Sequence, residues 1–155
     1  MPKFSRPPRR LDWVYARDPL YFVTCCTYRR RRLLACLNVH AAFIDFANKA
    51  HADFGIAVGR YVILPDHLHL FVALADGCDL GNWIGALKQV LARHEESTDS
   101  QDPIWQRGFF DHILRSSESY SEKWNYVQDN PVRAGLVANA TDWPYSGEII
   151  DIYFD

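Results

Sequence analysis

The run Tyr61-Val62-Ile63-Leu64-Pro65-Asp66-His67-Leu68-His69-Leu70-Phe71 constrains the fold of this chain more than any other segment. Two apolar stretches, Ile56 to Leu64 and Leu68 to Leu74, flank a Pro-Asp break short enough for a hairpin. In a strand, side chains alternate between faces. Leu68, Leu70 and Val72 then turn to one side and can pack into a core, while His67 and His69 turn together to the other. Such a pair reads in two ways: as polar decoration on a solvated face, or as half of a divalent-metal site on a rigid strand.

The rest of the chain supplies a partner set for that hairpin. Tyr21 to Tyr28 is rich in aromatic and β-branched residues and reads as a strand. Asn38 can cap a helix running to Phe54, with Phe43, Ala47 and Ala50 at helical spacing and Gly55 as its stop. Leu80 to Arg93 reads as a second helix, with Leu80, Trp83, Ile84, Leu87 and Leu91 on one stripe. Glu95 to Pro103 is a polar loop. Ile104 to Leu114 contains a fourth strand, with Gly108 as a candidate bulge. A third helix runs from Ser117 to Asn130, where Pro131 ends it. The segment around Trp143-Pro144-Tyr145-Ser146 reads as irregular. The order strand–helix–strand–strand–helix–strand is the split βαβ, ferredoxin-like pattern of an α+β protein, with the first and third strands central. The His pair therefore belongs mid-sheet. The expected organisation is a basic flexible arm over residues 1–12, one domain over 13–147 and a short acidic tail over 148–155.

The 155 residues suffice for one domain with a sizeable core. No apolar run reaches membrane-spanning length, and the basic, proline-rich N-terminus lacks the apolar stretch of a secretory signal. Cys25, Cys26, Cys36 and Cys78 form no C-x-x-C pair, which points to reduced thiols and a cytoplasmic protein. The net charge of −2 conceals an asymmetry: residues 1–60 carry 11 basic and 4 acidic side chains, whereas residues 61–155 carry 6 and 15. The basic half includes Arg6, Arg9, Arg10 and the run Arg29-Arg30-Arg31-Arg32. These clusters read as solvated surface or as the footprint of a phosphate backbone. Lys88 and Arg93 on the second helix could add phosphate contacts, and Trp13 and Tyr15 could stack on unpaired bases.

The third helix has an asymmetric wheel. At about 100° per residue, Tyr120, Trp124 and Val127 cluster within about 60°, and Tyr126 lies about 125° from their centre. Tyr126 is thus off the core face, either as an ordinary exposed tyrosine or as a reactive one. Asn130 is one turn further and shares its face. A phenol can attack a phosphodiester, but its ordinary pKa of about 10 makes it a weak nucleophile. A metal ion polarising the phosphate would answer that weakness. Two imidazoles and an amide add no charge and leave room for water and phosphate oxygens. That favours Mg²⁺ or Mn²⁺, although imidazole also accepts zinc.

Three segments in order carry a resemblance: Tyr61 to Leu70, Trp105-Gln106-Arg107-Gly108-Phe109-Phe110-Asp111-His112, and Tyr126-Val127-Gln128-Asp129-Asn130-Pro131-Val132-Arg133-Ala134-Gly135-Leu136-Val137. Together they resemble the single-tyrosine HUH transposases (His–hydrophobic–His), in particular the REP-associated tyrosine transposases, over residues 15–147. The resemblance implies His67 and His69 as metal ligands, Tyr126 as the nucleophile and Asn130 as a third ligand. It implies cleavage and rejoining of single-stranded DNA beside a hairpin, through a 5′-phosphotyrosine and a free 3′-hydroxyl, with no organic cofactor. Asp66 stands where many relatives carry Asn, and a turn-forming role is expected for it. The expected form is a monomer or homodimer, depending on whether the tyrosine helix docks on its own sheet. Competing readings are a DNA-binding protein without catalysis, a zinc hydrolase with Asp66 as a further ligand, and a non-catalytic interaction domain.

Overall fold

In the computed structural model, residues 13–15, 20–96 and 101–153 are described; the expected arm, with Arg6, Arg9 and Arg10, lies outside them. The strands are β1 (Trp13–Tyr15), β2 (Leu20–Cys26), β3 (Ala57–Ile63), β4 (His67–Ala73), β5 (Phe110–Leu114), β6 (Ser146–Glu148) and β7 (Asp151–Tyr153). The helices are α1 (Leu37–Phe54), α2 (Leu80–Ala92), α3 (Ser117–Val127) and the single turn α4 (Asn130–Arg133). Five strands form one antiparallel sheet in the order β5-β2-β4-β3-β6, and β1 pairs β7 in a separate two-stranded parallel ribbon. The two central strands of the split βαβ core are β2 and β4, as the element order implies.

Alternation along β4 sorts its residues between two layers. Leu68, Leu70 and Val72 are buried with Val23 and Cys25 of β2, against Phe43 and Ala47 of α1 and Ile84, Leu87 and Leu91 of α2. These two helices cover one face, with Phe46 and Trp83 in ring contact between them. Gly55 closes α1 in the left-handed region (φ 69°), where a side chain would be strained. Asp79 caps α2 by accepting from the backbone of Asn82 at 2.8 Å.

The other face carries His67, His69 and Phe71, and α3 lies across it. Ser116 caps α3 by accepting from the backbone of Ser119 at 3.1 Å. Tyr120 is buried against Phe71, their ring centres 4.7 Å apart. Its hydroxyl accepts from the backbone N–H of Arg60 at 3.0 Å, next to a register shift between Val58 and Tyr61 in β3. Gly59 makes this dock possible, because a Cβ there would lie 2.5 Å from the Tyr120 oxygen. Further along α3, Val127 packs with Val62 and Leu64.

Three expectations require correction. The third helix does not run unbroken to Asn130. It ends at Val127, and Pro131 helps begin α4, since a proline costs nothing in the first turn where its N–H would lack a partner. Gly108 is not a bulge; it takes a positive φ of 77° in the loop before β5, and the irregularity of the sheet lies in β3. The C-terminal segment is not irregular. Ser146–Glu148 adds a strand beside β3, and Ile150 and Ile152 are buried, so part of the expected acidic tail belongs to the core. The apolar residues interleaved with Glu148 and Asp151 account for this, because they need the sheet to cover them.

Candidate active site

His67 and His69 share one face of β4, their ring centres 4.8 Å apart and their planes nearly perpendicular. Each ring has its Nδ1 occupied. His67 Nδ1 donates to Asp66 Oδ1 at 2.8 Å, and His69 Nδ1 bonds the Thr24 hydroxyl at 2.8 Å. The carboxylate fixes the His67 tautomer and leaves Nε2 as the unprotonated nitrogen; with Nδ1–H donating to Thr24 the same holds for His69. Thr24 owes its position to register, since it lies directly opposite His69 across β2 and β4. Phe22, two residues earlier, stacks on the His69 ring at 5.2 Å.

The protonation state suits a ligand. Burial is the main cause that lowers the His69 pKa to about 3, with His67, Lys123, Arg30 and Arg133 adding positive charge against protonation. Burial also lowers the His67 pKa, opposed by the hydrogen bond and charge of Asp66. Both imidazoles are neutral at neutral pH, the state a metal ion requires.

Asp66 does more than turn the chain. The turn itself is closed by the Leu64 N–H donating to the His67 carbonyl at 2.8 Å, while the Asp66 carbonyl accepts from the Thr27 N–H at 3.0 Å and ties the turn to the end of β2. The Asp66 side chain bonds His67 through one oxygen and Arg30 Nε through the other, at 3.0 Å. With both oxygens engaged, it orients a histidine and is not placed as the further ligand of a zinc hydrolase. The hydrogen bond to His67 and the bond to Arg30 hold its pKa below the usual carboxylate range, against the opposing effect of burial. Among the described residues, no group of three His, Cys, Asp or Glu could hold a metal. From the described residues, a third donor would be an amide, with water or a substrate oxygen as the alternatives.

The arginine run is split by its turn. Arg29 and Arg30 both take positive φ, 54° and 55°, a costly conformation for a side chain with a Cβ. The Thr27 hydroxyl secures the turn, donating to the carbonyls of Arg31 at 2.7 Å and Asp66 at 3.1 Å. Arg30 is thereby directed back over Asp66. Arg31 reaches the Pro103 carbonyl at 3.4 Å, whereas Arg29 and Arg32 are exposed. Lys88 donates to the carbonyls of Gln106 and Gly108 and so ties α2 to the loop before β5. Arg93 is exposed at the end of α2.

Tyr126 is 65% exposed, while Val127 beside it is 2% exposed. Because Val127 packs on Val62, the direct neighbour of His69 across β3 and β4, the last turn of α3 lies level with the histidine pair. The Tyr126 ring is covered by the Arg133 guanidinium, 4.1 Å from the ring centre. Arg133 also donates to the Tyr126 carbonyl at 2.7 Å and to Asn130 Oδ1. Tyr126 and Asn130 are thus joined through Arg133 across the break between α3 and α4. Tyr120 is a poor alternative nucleophile, because burial raises the pKa of its phenol well above the usual value.

The residues 19–130 match the family model of IS200-like transposases. The chain belongs to the IS200-like transposase family. The REP-associated tyrosine transposase of Escherichia coli (strain K12) is 28% identical to this transposase over 132 residues, covering 85% of the chain and 78% of the relative. A solved structure, that of a REP-associated tyrosine transposase bound to a REP hairpin, superposes with a TM-score of 0.68 and 26% identity, covering 91% of this chain and 81% of that one. The transposase is an enzyme of the single-tyrosine type. Among its described residues, no helix is long and apolar enough to cross a membrane.

Several features escaped sequence reasoning. Lys123 lies three residues before Tyr126, a spacing that puts both on one helix face. Its ammonium sits 5.2 Å from the Phe22 ring, beside the histidines. Arg133 stands inside the Tyr126–Val137 motif but carries no signal of its own. With Arg30, whose charge is paired with Asp66, they surround two neutral imidazoles, and Lys123 and Arg133 leave the site with positive charge that attracts an anion.

Proposed function

We propose that this transposase cleaves and rejoins single-stranded DNA beside a hairpin, using Tyr126 as the nucleophile and a divalent metal held by His67, His69 and Asn130. The observation that carries this reading is the juxtaposition of two neutral imidazoles, each with Nδ1 hydrogen-bonded so that Nε2 is the unprotonated nitrogen, with the cations Lys123 and Arg133 and an exposed tyrosine on the helix that covers them. The donor set of two nitrogens and one amide oxygen suits Mg²⁺ or Mn²⁺ completed by water and phosphate oxygens. Such an ion would supply Lewis-acid polarisation of the scissile phosphate.

The chain's own residues do the rest. Lys123 and Arg133 attract and orient the phosphate. Asp66 and Thr24 hold the imidazoles in the ligating orientation. The phenol oxygen of Tyr126 attacks phosphorus, the P–O3′ bond breaks, and the phenol proton is lost as the 3′-oxygen gains one. One phosphodiester replaces another, so rejoining needs no external energy source. The hairpin partner is supported by the REP hairpin bound in the related structure. Exposed Arg29, Arg32 and Arg93 are candidates for contacts to its backbone. Because α3 docks on its own sheet, one chain carries the whole set, which favours a functional monomer over an obligatory swapped dimer. Free thiols at Cys25, Cys26, Cys36 and Cys78 agree with a cytoplasmic protein.

The test is incubation with an end-labelled, hairpin-bearing single strand, with and without Mn²⁺, followed by a denaturing gel. A metal-dependent adduct, absent from Tyr126→Phe and His67→Ala, is expected. Salt-sensitive binding with no adduct on any hairpin would overturn the catalytic reading in favour of DNA binding alone.

A further inference from the structure

Arg133 is placed to do more than attract phosphate. Its guanidinium faces the Tyr126 ring and donates to both the Tyr126 carbonyl and Asn130 Oδ1. It is exposed, and among the described residues no carboxylate pairs with it. Its present partners are thus two neutral oxygens and a ring face. One of those oxygens is the atom that Asn130 would offer to a metal. We propose that Arg133 is a latch, which keeps Asn130 from the metal until a DNA phosphate draws the guanidinium away. The inference rests on the reading of Asn130 as a metal ligand.

The physical argument concerns competition for one oxygen. A carboxamide oxygen is neutral, and a guanidinium and a divalent cation placed on it together would repel each other. One must therefore leave for the other to bind well. A phosphate oxyanion is a better partner for arginine than a carbonyl: charge-assisted hydrogen bonds are about twice as strong as neutral ones, and the fork of the guanidinium matches two phosphate oxygens. Arrival of DNA therefore favours the exchange, and absence of DNA opposes it. Asn130 and Arg133 are three residues apart on the single turn α4, so the contact is local and can break while α3 stays docked through Tyr120 and Val127. The consequence is coupling: DNA strengthens metal binding, and by linkage metal strengthens DNA binding by the same factor. The device would keep the tyrosine site incompletely assembled away from substrate.

The experiment measures Mn²⁺ affinity by the electron paramagnetic resonance signal of free Mn²⁺. All proteins carry Tyr126→Phe, which keeps the ring under Arg133 and prevents cleavage. The set is this background alone, with Arg133→Ala, with Asn130→Ala, and with both, each without DNA and with a hairpin-bearing single strand. Arg133→Ala is expected to tighten Mn²⁺ binding without DNA by about fivefold or more, the lower end of ordinary coupling. The gain should vanish in the Asn130→Ala background and shrink when DNA is present. An equal gain with and without Asn130 would show that Arg133 acts only as a repelling charge, and would overturn the latch while leaving the metal site intact. Unchanged affinity in Arg133→Ala would do the same. Absence of Mn²⁺ binding in every protein, with and without DNA, would instead remove the metal reading and the latch with it.

Discussion

The two faces of strand β4 differ in what they do with alternate residues of one sequence. Leu68, Leu70 and Val72 are fully buried beneath α1 and α2, where no atom has freedom to serve a substrate. His67, His69 and Phe71 face α3, which seals the surface at Tyr120 and Phe71 and leaves it accessible toward Tyr126. The first face gives the strand its rigidity. The second uses that rigidity to hold two imidazoles at a fixed separation. A site built on a central strand inherits its precision from the packing behind it.

The comparison breaks if the faces cannot be separated by mutation. The largest effect expected is on the packed face. Leu70→Ala should cost about 2–5 kcal/mol of stability through lost burial and a residual cavity, read from chemical denaturation. His67→Ala should leave the denaturation midpoint nearly unchanged while removing metal-dependent adduct formation. A comparable loss of stability in both variants would mean that the histidine face is part of the core.

A smaller effect is expected at Asp66. Asp66→Ala removes both the acceptor of His67 Nδ1 and the partner of Arg30, and metal affinity should fall by about 10- to 100-fold, as for other groups that orient a ligand. Titration calorimetry with Mn²⁺ and hairpin DNA would measure this. Unaltered affinity would reduce Asp66 to the turn residue that sequence reasoning favoured.

Smaller again is the contribution of the exposed arginines. Arg29→Ala and Arg32→Ala should each lower the salt dependence of DNA binding by about one phosphate contact, whatever the sequence. Arg31→Ala should change that slope less, because its side chain is turned toward the Pro103 carbonyl. Equal slopes for all three would contradict the split of the run.

The smallest effect lies on the packed side, at His40. This ring is buried and bonded to the Tyr61 hydroxyl at 2.7 Å, and burial lowers its pKa from the usual 6.5. The unfolded chain therefore takes up a proton at higher pH than the folded one. Stability is full above about pH 6.5 and declines as the pH falls toward the lowered folded value. His67 and His69, whose pKa values are also lowered by burial, add declines of the same sign, so His40→Gln should lessen but not abolish the loss of stability in thermal melts between pH 7 and pH 5; an unchanged slope would assign it to those two histidines.

The sequence made the sheet readable because its signals were local: alternation in β4, the helical stripe of α2, the stop at Gly55. The exposure of Tyr126 was legible for the same reason, since a wheel count needs only eleven residues. Thr24 beside His69 was not legible, because it depends on the register of strands 45 residues apart. Nor was the return of Arg30 to Asp66, which depends on two arginines in left-handed geometry that their chemistry disfavours. The break between α3 and α4 is not legible in the sequence, because Pro131 is as compatible with starting a turn as with ending one. The pairing of β6 with β3 was hidden because short strands carry little pattern.

The most direct measurement is the identity of the residue joined to DNA. Protein incubated with Mn²⁺ and a hairpin-bearing single strand would be digested with nuclease and protease, and the modified peptide sequenced by mass spectrometry. The account predicts a nucleotide attached through phosphate to Tyr126 and to no other residue. Attachment at another side chain, or DNA cleavage with no covalent protein product, would contradict it.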